Sequence, residues 1–374
     1  MQRTSPKYQQ IINDLRQEIV SGKYGPGDRL PSEAQLVRRF GSSRITVGRA
    51  VRDLRDEGLV ERRAGSGTYV RNVPFREAND LSFGLLIPNL GETEIFEPIC
   101  QGMTEGAGEH TFIWGPSAKF PASLEDETLN RCRQFIQRRV SGVFFAPLEH
   151  TPRCNQVNRR ILSELSSAAM PTVLLDRCVL PYPHRCEYDL VGIDNRRAGY
   201  TITEHLLKLG CRRLLFWTYP LSATTVEARI AGYREALIAY GARIDQQLVE
   251  RADAENIELV RSSMDANSPE GIICANDRTA AKLMHTLIAL GYRIPGDVRL
   301  CGIDDVRYAS LLSVPLTTIH QPCRDIGIAA VGLMRDRLAN PRMATRDVYL
   351  SCHLVVRESC GAKFNGELRA KASA

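Results

Sequence analysis

Hydrophobic positions near the start of the chain recur with helical spacing. The stretch Pro6–Val20 keeps its apolar residues on one face, and glycines from Gly22 onward end the predicted helix. A second helix is predicted to begin at Ser32 and to end at Gly41. Ser32 and Gln35 have the spacing of a capping box, which supports that start.

A third helix follows Gly41 after a short turn, which is the separation that a helix-turn-helix requires. Its N-terminal cap is Ser42 or Ser43, and its inner face begins at Ile45 or Val47. The pattern therefore predicts two helices held at a steep angle.

A short hairpin is predicted after these helices. Its strands are Leu59–Arg62 and Thr68–Arg71, and the tight turn between them is Ala64–Gly67. The glycines of this turn can approach a groove without a side-chain clash. The three helices and the hairpin predict a winged helix-turn-helix over residues 1–72.

From residue 82 the pattern changes to short apolar runs that alternate with helical stretches. The first run is Phe83–Pro88, and the alternation restarts at Leu190–Ile193. Such alternation predicts an α/β fold with two doubly wound parallel-sheet subdomains. The expected boundaries are a linker at 73–81, a two-lobed domain at 82–360 with one lobe at 82–180 and 323–340 and the other at 188–320 and 345–358, and a disordered tail at 361–374.

Positive charge is concentrated in the predicted winged unit. Residues 1–74 hold 14 Lys and Arg against 8 Asp and Glu, whereas the rest of the chain holds 35 of each. A basic helix-turn-helix on an electrically neutral body is typical of a DNA-binding head. The alternative is a solvated basic face on a protein-interaction domain.

The start of the third helix carries residues that can contact DNA. Arg44 can donate two hydrogen bonds to guanine, and Thr46 can bond a base edge or a phosphate. The hydroxyls of Ser42 and Ser43, with the free backbone N–H groups beside them, suit a phosphate.

This head resembles the GntR-type winged helix-turn-helix. The motifs that carry the resemblance are LPSE at Leu30–Glu33, SRITVGRA at Ser43–Ala50, LRDEGL at Leu54–Leu59 and GSGTYV at Gly65–Val70. The resemblance implies that Arg44 and Thr46 contact the major groove.

The resemblance also implies DNA contacts at the edges of the head. The wing tip, formed by Gly65, Ser66 and Gly67, would enter the minor groove, and Lys7 and Tyr8 would contact backbone phosphate. The family commonly has Arg after LPSE and after TV, where this chain has Ala34 and Gly48. Arg49, one position later, either supplies the second charge or points elsewhere.

Polar residues follow three predicted strands of the body, as Asp176-Arg177, Asn276-Asp277 and Asp304-Asp305. Ligands of doubly wound sheets bind at the carboxyl ends of the strands. Carboxylate and amide groups there can hydrogen-bond to sugar hydroxyls. Two alternatives remain open: Asp277 caps a helix, or Asp304-Asp305 caps a turn.

From Phe83 to Ser359 the chain resembles the effector-binding body of LacI/galactose-repressor-type regulators, which is similar to type I periplasmic binding proteins. The motifs that carry the resemblance are VGIDNRRAG, ARIAGYREAL, ICANDRTA, IPGDVRLCGIDD, VPLTTIHQP and LVVRES. The resemblance implies effector contacts from the following residues: Asp176, Arg229, Asn276, Asp277 and Asp304, with Phe96 as a stacking aromatic. Alternatively, Arg229 pairs only with the acidic residues around it.

Together, the two resemblances predict a ligand-responsive transcriptional repressor. Its expected partners are double-stranded operator DNA and a small carbohydrate, and a two-fold operator favours a homodimer. The alternative is a solute-binding protein for sugar transport, which does not explain the basic head.

An enzyme is not indicated by this sequence. No G-x-G-x-x-G opens a βαβ unit and no nucleophile–base set is evident, so we expect neither catalytic residues nor a cofactor. The 11 cysteines and 7 histidines are scattered, so no metal site is expected. Without an apolar leader or a long apolar run, we expect a cytoplasmic protein with no membrane partner.

Overall fold

The chain forms two compact units, Met1–Asp80 and Leu81–Ala374. The computed structural model describes residues 7–20, 23–25, 27–56, 59–63, 66–70, 81–88, 90, 94–108, 110–114, 123–241 and 248–362. The expected linker and tail therefore lie almost entirely outside the described residues. No helix in the described ranges is long and apolar enough to cross a membrane.

The first unit, called the head below, contains three helices and a hairpin. Its elements are α1 (Lys7–Val20), α2 (Glu33–Phe40), α3 (Arg44–Asp56), β1 (Val60–Arg63) and β2 (Gly67–Val70), with β1 antiparallel to β2. The helices enclose a small apolar core, to which all three contribute. The winged helix-turn-helix expected from the sequence is confirmed.

Local caps explain where α2 and α3 begin and end. The Ser32 and Gln35 capping box is present, and Gly41 ends α2 in the left-handed conformation, with φ of 54°. Ser43 caps α3, because the backbone N–H of Thr46 donates to Ser43 Oγ at 3.2 Å. Val47 supplies the inner face that the sequence left open, since it is fully buried.

The second unit, called the body below, contains two six-stranded sheets. The first sheet is entirely parallel, in the order β13-β7-β6-β5-β3-β4. Its strands are β3 (Ser82–Leu86), β4 (Thr111–Ile113), β5 (Gly142–Phe145), β6 (Thr172–Leu175), β7 (Asp189–Ile193) and β13 (Asp347–Leu350). The helices that belong to this lobe are α4 (Phe96–Ala107), α5 (Leu124–Arg138), α6 (Cys154–Ser167) and α11 (Cys323–Ala339).

The second sheet has the order β14-β12-β11-β10-β8-β9, and β14 is its antiparallel strand. Its strands are β8 (Leu214–Thr218), β9 (Leu248–Arg251), β10 (Gly271–Cys274), β11 (Arg299–Asp304), β12 (Thr317–His320) and β14 (His353–Val355). Its helices are α7 (Asn195–Lys208), α8 (Thr224–Ala239), α9 (Ile257–Asn267) and α10 (Asp277–Ala289). The two doubly wound subdomains expected from the sequence are confirmed.

One predicted lobe boundary is wrong. The strand at Leu190–Ile193 was expected to open the second lobe, but β7 pairs with β6 and β13 in the first sheet. The buried carboxylate of Asp189 explains this placement. It accepts hydrogen bonds from Arg337 of α11 and, at 2.8 Å, from the backbone N–H of Arg346, just before β13.

The chain consequently crosses between the lobes three times, after β7, after β12 and after β13. The stretch 345–358, expected in the second lobe, is divided between the two sheets. Its first strand, β13, joins the first sheet, and its second strand, β14, joins the second.

Close packing of α7 against α8 positions part of the cleft between the lobes. A Cβ at Gly199 would lie 2.0 Å from the carbonyl oxygen of Arg229, and one at Gly232 would lie 1.9 Å from that of Arg196. Glycine at both positions lets the two backbones meet, and this brings Arg229 to the start of α7.

Candidate functional site

The outer face of α3 forms an open basic surface. Residues of α3, of the hairpin and of the start of α2 line one pocket there. They are Glu33, Arg44, Ile45, Gly48, Val51, Arg52, Arg55, Arg62 and Thr68. The side chain of Arg44 is 85% exposed, and its 3.9 Å separation from Glu33 is too long for a hydrogen bond. We call this set of residues the α3 face; the exposed guanidinium of Arg44 is accessible to an external anion or base.

Sequence analysis missed the basic residues of the α3 face beyond Arg44. Arg52 and Arg55 follow Arg44 at roughly helical intervals, so the periodicity of α3 was a sufficient signal. Arg62 is on the hairpin strand β1 and joins the α3 face only through the tertiary fold.

The three hydroxyl groups at the start of α3 are close to backbone or to one another. Ser43 Oγ lies 2.8 Å from Thr46 Oγ1, and Ser42 Oγ donates to the carbonyl of Phe40 at 3.3 Å. Ser43 and Thr46 are thus held together at the helix start, while Ser42 is turned toward α2.

Arg49 lies in a different cluster from Arg44. Its guanidinium carbon is 4.3 Å from the ring centroid of Tyr8 on α1, and Lys7 is the neighbouring residue on that helix. Arg49 therefore lies beside α1, next to two residues that are predicted to contact phosphate, and its own DNA contact stays a prediction.

At the hairpin turn, Ser66 Oγ contacts Tyr69 Oη at 2.6 Å. Gly67 has a φ of 133°, and a Cβ there would lie 2.7 Å from Nε of Arg29. Glycine is therefore required at this position. Gly65 lies outside the described residues.

In the body, Arg177 is the centre of a buried ion cluster after β6. Its Nε donates to Asp176 Oδ2 at 2.9 Å, and its Nη1 pairs with Glu149, four residues beyond β5. Burial raises the pKa of Glu149, but the positive charge of Arg177 lowers it. The net effect is a pKa below the usual value of a glutamate. The sequence listed Asp176 as a site residue, and the structure adds Arg177 and Glu149.

Arg229 is the centre of a second buried cluster, after β10 and β11. Its Nε donates to Asn195 Oδ1 at 2.8 Å, and its Nη1 donates to the carbonyl of Ala275 at 2.5 Å. Its Nη2 lies 3.4 Å from Asp304 Oδ1, so the ion pair proposed as an alternative role for Arg229 is present. Gln321 donates to the same Asp304 oxygen at 2.5 Å.

Burial raises the pKa of Asp304 to about 8, although the charge of Arg229 opposes the shift. The charges of Asp277 and Asp176 add to it, which shows that Asp176 and Asp304 are electrostatic neighbours across the two lobes. Asp304 also has a φ of 129°, a left-handed value that an aspartate rarely adopts.

Two buried oxygen atoms of this region have no hydrogen-bond partner among the described residues. They are Asp176 Oδ1 in the first lobe and Gln321 Oε1 at the crossover after β12. Both atoms are acceptors, and buried acceptors without a donor are costly. Both atoms can therefore accept hydrogen bonds from a donor outside the described residues.

Asp277, which the sequence predicts to contact the effector, has both of its carboxylate oxygens hydrogen-bonded within the fold. The residue is completely buried. Its Oδ1 accepts from Thr318 Oγ1 at 2.6 Å and its Oδ2 from the backbone N–H of Val306 at 3.0 Å. Burial raises the pKa of Asp277 to about 6. Asp277 therefore ties the loop after β11 to β12.

The helix cap suggested for Asp277 belongs to its neighbour. Asn276 Oδ1 accepts from the backbone N–H of Thr279 at 2.8 Å and so caps α10. The side-chain oxygen of Asn276 is therefore used by the cap, and its amide nitrogen is the side chain's donor group.

Phe96, which the sequence predicts to stack on the effector, is packed into the fold, and its stacking role stays a prediction. Phe96 is the first residue of α4, is 2% exposed and belongs to the core. The guanidinium of Arg177 lies 5.6 Å from its ring centroid, so a cation already covers the ring.

Hydrogen bonds join the two lobes around the cleft. Ala223 N–H donates to Glu149 Oε2 at 3.1 Å, and Thr224 Oγ1 donates to the carbonyl of Cys178 at 2.7 Å. Tyr308 Oη donates to Glu94 Oε1 at 3.1 Å, farther along the same interface. The lobes are therefore held together over the buried clusters.

Two family models match this chain. Residues 7–70 match the model described as bacterial regulatory proteins, gntR family, and residues 203–360 match that of a periplasmic binding protein-like domain. The first match covers the head, and the second covers most of the second lobe together with α11 and β13 of the first lobe.

Relatives and solved structures agree with both matches. The arabinose metabolism transcriptional repressor of Geobacillus stearothermophilus is 26% identical over 371 residues, which cover 96% of this chain and 98% of that protein. The crystal structure of transcription regulator GntR from Chromobacterium violaceum is 26% identical, with a TM-score of 0.59 over 75% of this chain and 99% of that one.

A LacI family transcriptional regulator from Enterococcus faecium, solved with bound ribose, shares the fold of the body. It is 22% identical, with a TM-score of 0.59 over 74% of this chain and 98% of that one. The two-lobed architecture is therefore one that other regulators possess.

Proposed function

We infer that this chain, which joins a GntR-type winged helix-turn-helix head to a periplasmic-binding-protein-like body, is a transcriptional repressor. The head binds operator DNA, and the cleft of the body binds a small carbohydrate that changes operator affinity. A relative that matches nearly the whole chain is an arabinose metabolism repressor, and a solved structure similar to the body contains ribose. Both support a sugar as the effector.

The single observation that carries the effector assignment is the pair of unpartnered acceptors, Asp176 Oδ1 and Gln321 Oε1. A polyol supplies hydroxyl donors to both, and its own oxygens can accept from Arg229 and from the amide of Asn276. An apolar ligand would leave both acceptors unsatisfied and is therefore disfavoured.

Effector binding and the lobe interface share one chain of contacts. Glu149 pairs with Arg177 inside the cleft and also accepts from Ala223 of the second lobe. A sugar that bonds to Asp176 acts on the same ion cluster, so it biases the lobe interface. A coupling of about 1–3 kcal/mol between the sugar and DNA sites is typical of such regulators.

The DNA assignment is supported by the α3 face and by the exposed cations Lys7 and Arg49, the second of which lies over the ring of Tyr8. We propose that Arg44 and Thr46 contact the major groove, Gly67 and Ser66 the minor groove, and Lys7 phosphate. We further propose that the protein acts as a homodimer on a two-fold operator, in which each head occupies one half-site.

Calorimetric titration of the full chain with a panel of pentoses, hexoses and disaccharides tests the effector assignment. Gln321→Met removes one unpartnered acceptor and should lower the affinity for the sugar about tenfold. Gln101→Met, at an exposed position of α4, is the control and should change nothing. If no sugar binds, the effector class is wrong.

Gel retardation of DNA from upstream of the gene, with and without the bound sugar, tests the regulatory assignment. A repressor retards this DNA and the sugar changes the affinity. The rival reading, a solute-binding protein for transport, predicts sugar binding with no retardation at any protein concentration. Light scattering of the free chain tests the dimer.

A further inference from the structure

Ile45 is an anomaly of the DNA-binding head. It is 86% exposed on α3, and no other large apolar side chain in the described part of the head is as exposed. The core below it is complete without it, because Val47, Ala50 and Leu54 fill the inner face of α3. Ile45 therefore stabilises the fold little, and its exposure points to a partner outside the chain.

The surroundings of Ile45 indicate which partner it can meet. It lies on the α3 face between Arg44 and Gly48, and a Cβ at Gly48 would meet nothing within 4 Å. The floor of a groove can thus approach this part of α3 closely. A β-branched side chain also has few rotamers to lose when it is buried.

We propose that Ile45 contacts the C5-methyl group of a thymine in the major groove and so selects an A·T pair in each half-site. This inference rests on the proposed DNA-binding function. The thymine methyl is the apolar group that unmodified bases expose in the major groove, and Arg44 and Thr46 read the polar edges beside it.

The test uses the full chain and duplexes selected by it from a random library, with deoxyuridine replacing thymine one position at a time. Deoxyuridine lacks the methyl group and keeps every hydrogen-bonding atom. For the wild type, one replacement per half-site should weaken binding about threefold to fivefold. Ile45→Ala should weaken binding to the thymine duplex similarly and should lose no further affinity with deoxyuridine.

The controls separate this inference from the proposed function. Ile45→Val keeps the branched end and should retain thymine discrimination, and Ile257→Ala, at an exposed apolar position of the body, should behave as the wild type. Equal deoxyuridine losses in wild type and Ile45→Ala would overturn the role of Ile45 while DNA binding stands. If the chain selects no duplex, the proposed function itself fails.

A separate observation concerns two thiols beside the cleft. Cys178 Sγ and Cys186 Sγ lie 3.0 Å apart, and both residues are free cysteines. Cys178 follows Arg177, and its carbonyl accepts the hydrogen bond of Thr224 from the second lobe. The hydrogen bond between the two thiols lowers the pKa of Cys178 to about 6, against the effect of burial. Cys178 is also the less buried of the two, so we assign it as the nucleophile of the pair.

We propose that this pair is an oxidation site for low-molecular-weight disulfides. The Cys178 thiolate attacks one sulfur of the small disulfide and expels the other as a thiolate, which forms a mixed disulfide. Cys186 then gives up its proton and attacks Cys178 Sγ, and the second small thiol leaves. The protein dithiol is oxidised, and one small disulfide is reduced to two thiols.

Incubation of the full chain with oxidised glutathione, followed by alkylation and peptide mapping, tests this site. The expected product is a Cys178–Cys186 cross-link that dithiothreitol reverses. Cys186→Ser should stop at one bound glutathione on Cys178, and Cys352→Ser, at another partly exposed cysteine, should still form the cross-link. Absence of the cross-link in folded protein, or cross-links that involve other cysteines equally, would overturn the proposal.

Discussion

The two candidate binding regions handle charge in opposite ways. On the α3 face, the side chain of Arg44 is 85% exposed and makes no hydrogen bond to Glu33. In the cleft, the side chain of Arg229 is 5% exposed and is held by Asn195, Ala275 and Asp304. An exposed cation is available to a polyanion, whereas a buried and paired cation is part of the fold that shapes a neutral ligand's site.

The difference predicts where each substitution acts. Changes on the α3 face should alter DNA binding and leave stability nearly unchanged. Changes in the ion clusters of the cleft should alter stability and effector binding together. A buried charge that loses its ion-pair partner is not solvated by water in its place. Four experiments test this contrast.

The largest effect is expected for Arg177→Ala. The change leaves Asp176 and Glu149 buried without their shared cation, so the free energy of unfolding should fall by roughly 3–5 kcal/mol. Arg196→Ala is the control, because the Arg196–Glu235 pair is largely exposed and should contribute at most about 1 kcal/mol. Urea denaturation measures both; equal losses would contradict the contrast.

Arg44→Ala should weaken specific operator binding by about tenfold to a hundredfold, since one bidentate base contact contributes about 1–3 kcal/mol. Its melting temperature should stay that of the wild type. Gel retardation with operator and with unrelated DNA measures the specific part. Unchanged operator affinity would show that another residue reads the base.

The pH dependence of body stability should follow Asp304. Its pKa in the folded chain, about 8, lies above its ordinary value of 3.8, so the folded state keeps a proton that the unfolded chain has released. The free energy of unfolding therefore falls as pH rises between these values, by at most about 1.4 kcal/mol per unit.

Asp304→Asn cannot titrate and should remove this slope between pH 7 and 8, where Asp277, with a pKa of about 6, has already lost most of its proton. Denaturation curves for wild type and Asp304→Asn at several pH values check the sign. A wild-type stability that rises through this range would show that another group dominates.

The smallest effect is expected for Lys7→Ala. Loss of one phosphate contact should weaken binding to all DNA sequences alike. It should also reduce the slope of log affinity against log salt concentration by about one. Lys208→Ala, an exposed lysine of the body, should leave the slope unchanged. A loss confined to the operator would instead assign Lys7 a base contact.

Local patterns in the sequence were sufficient for the head. The cap at Ser32, the stop at Gly41 and the helical spacing of α3 depend on neighbours within a few residues, so they could be predicted. The choice between Ile45 and Val47 could not, because both fit an amphipathic helix and only the packing of α1 on α3 decides it.

Prediction of the cleft failed where side-chain direction matters. A polar residue after a strand marks the correct edge of a sheet, and Asp176, Asn276, Asp277 and Asp304 all lie there. The rule does not say which of them faces the cleft, and Thr318 with Val306 turns Asp277 inward. Gln321 follows β12 at the same edge and could have been found by the same rule.

The three crossings between the lobes also govern the order in which the chain can be completed during synthesis. The head needs only its own first 70 residues, but the first sheet waits for β13 at Asp347–Leu350. A product that terminates before this strand therefore keeps a complete head and an open sheet edge. Under the proposed function, such a fragment would keep the DNA-binding unit without an intact sensor, so its operator affinity would no longer respond to the sugar.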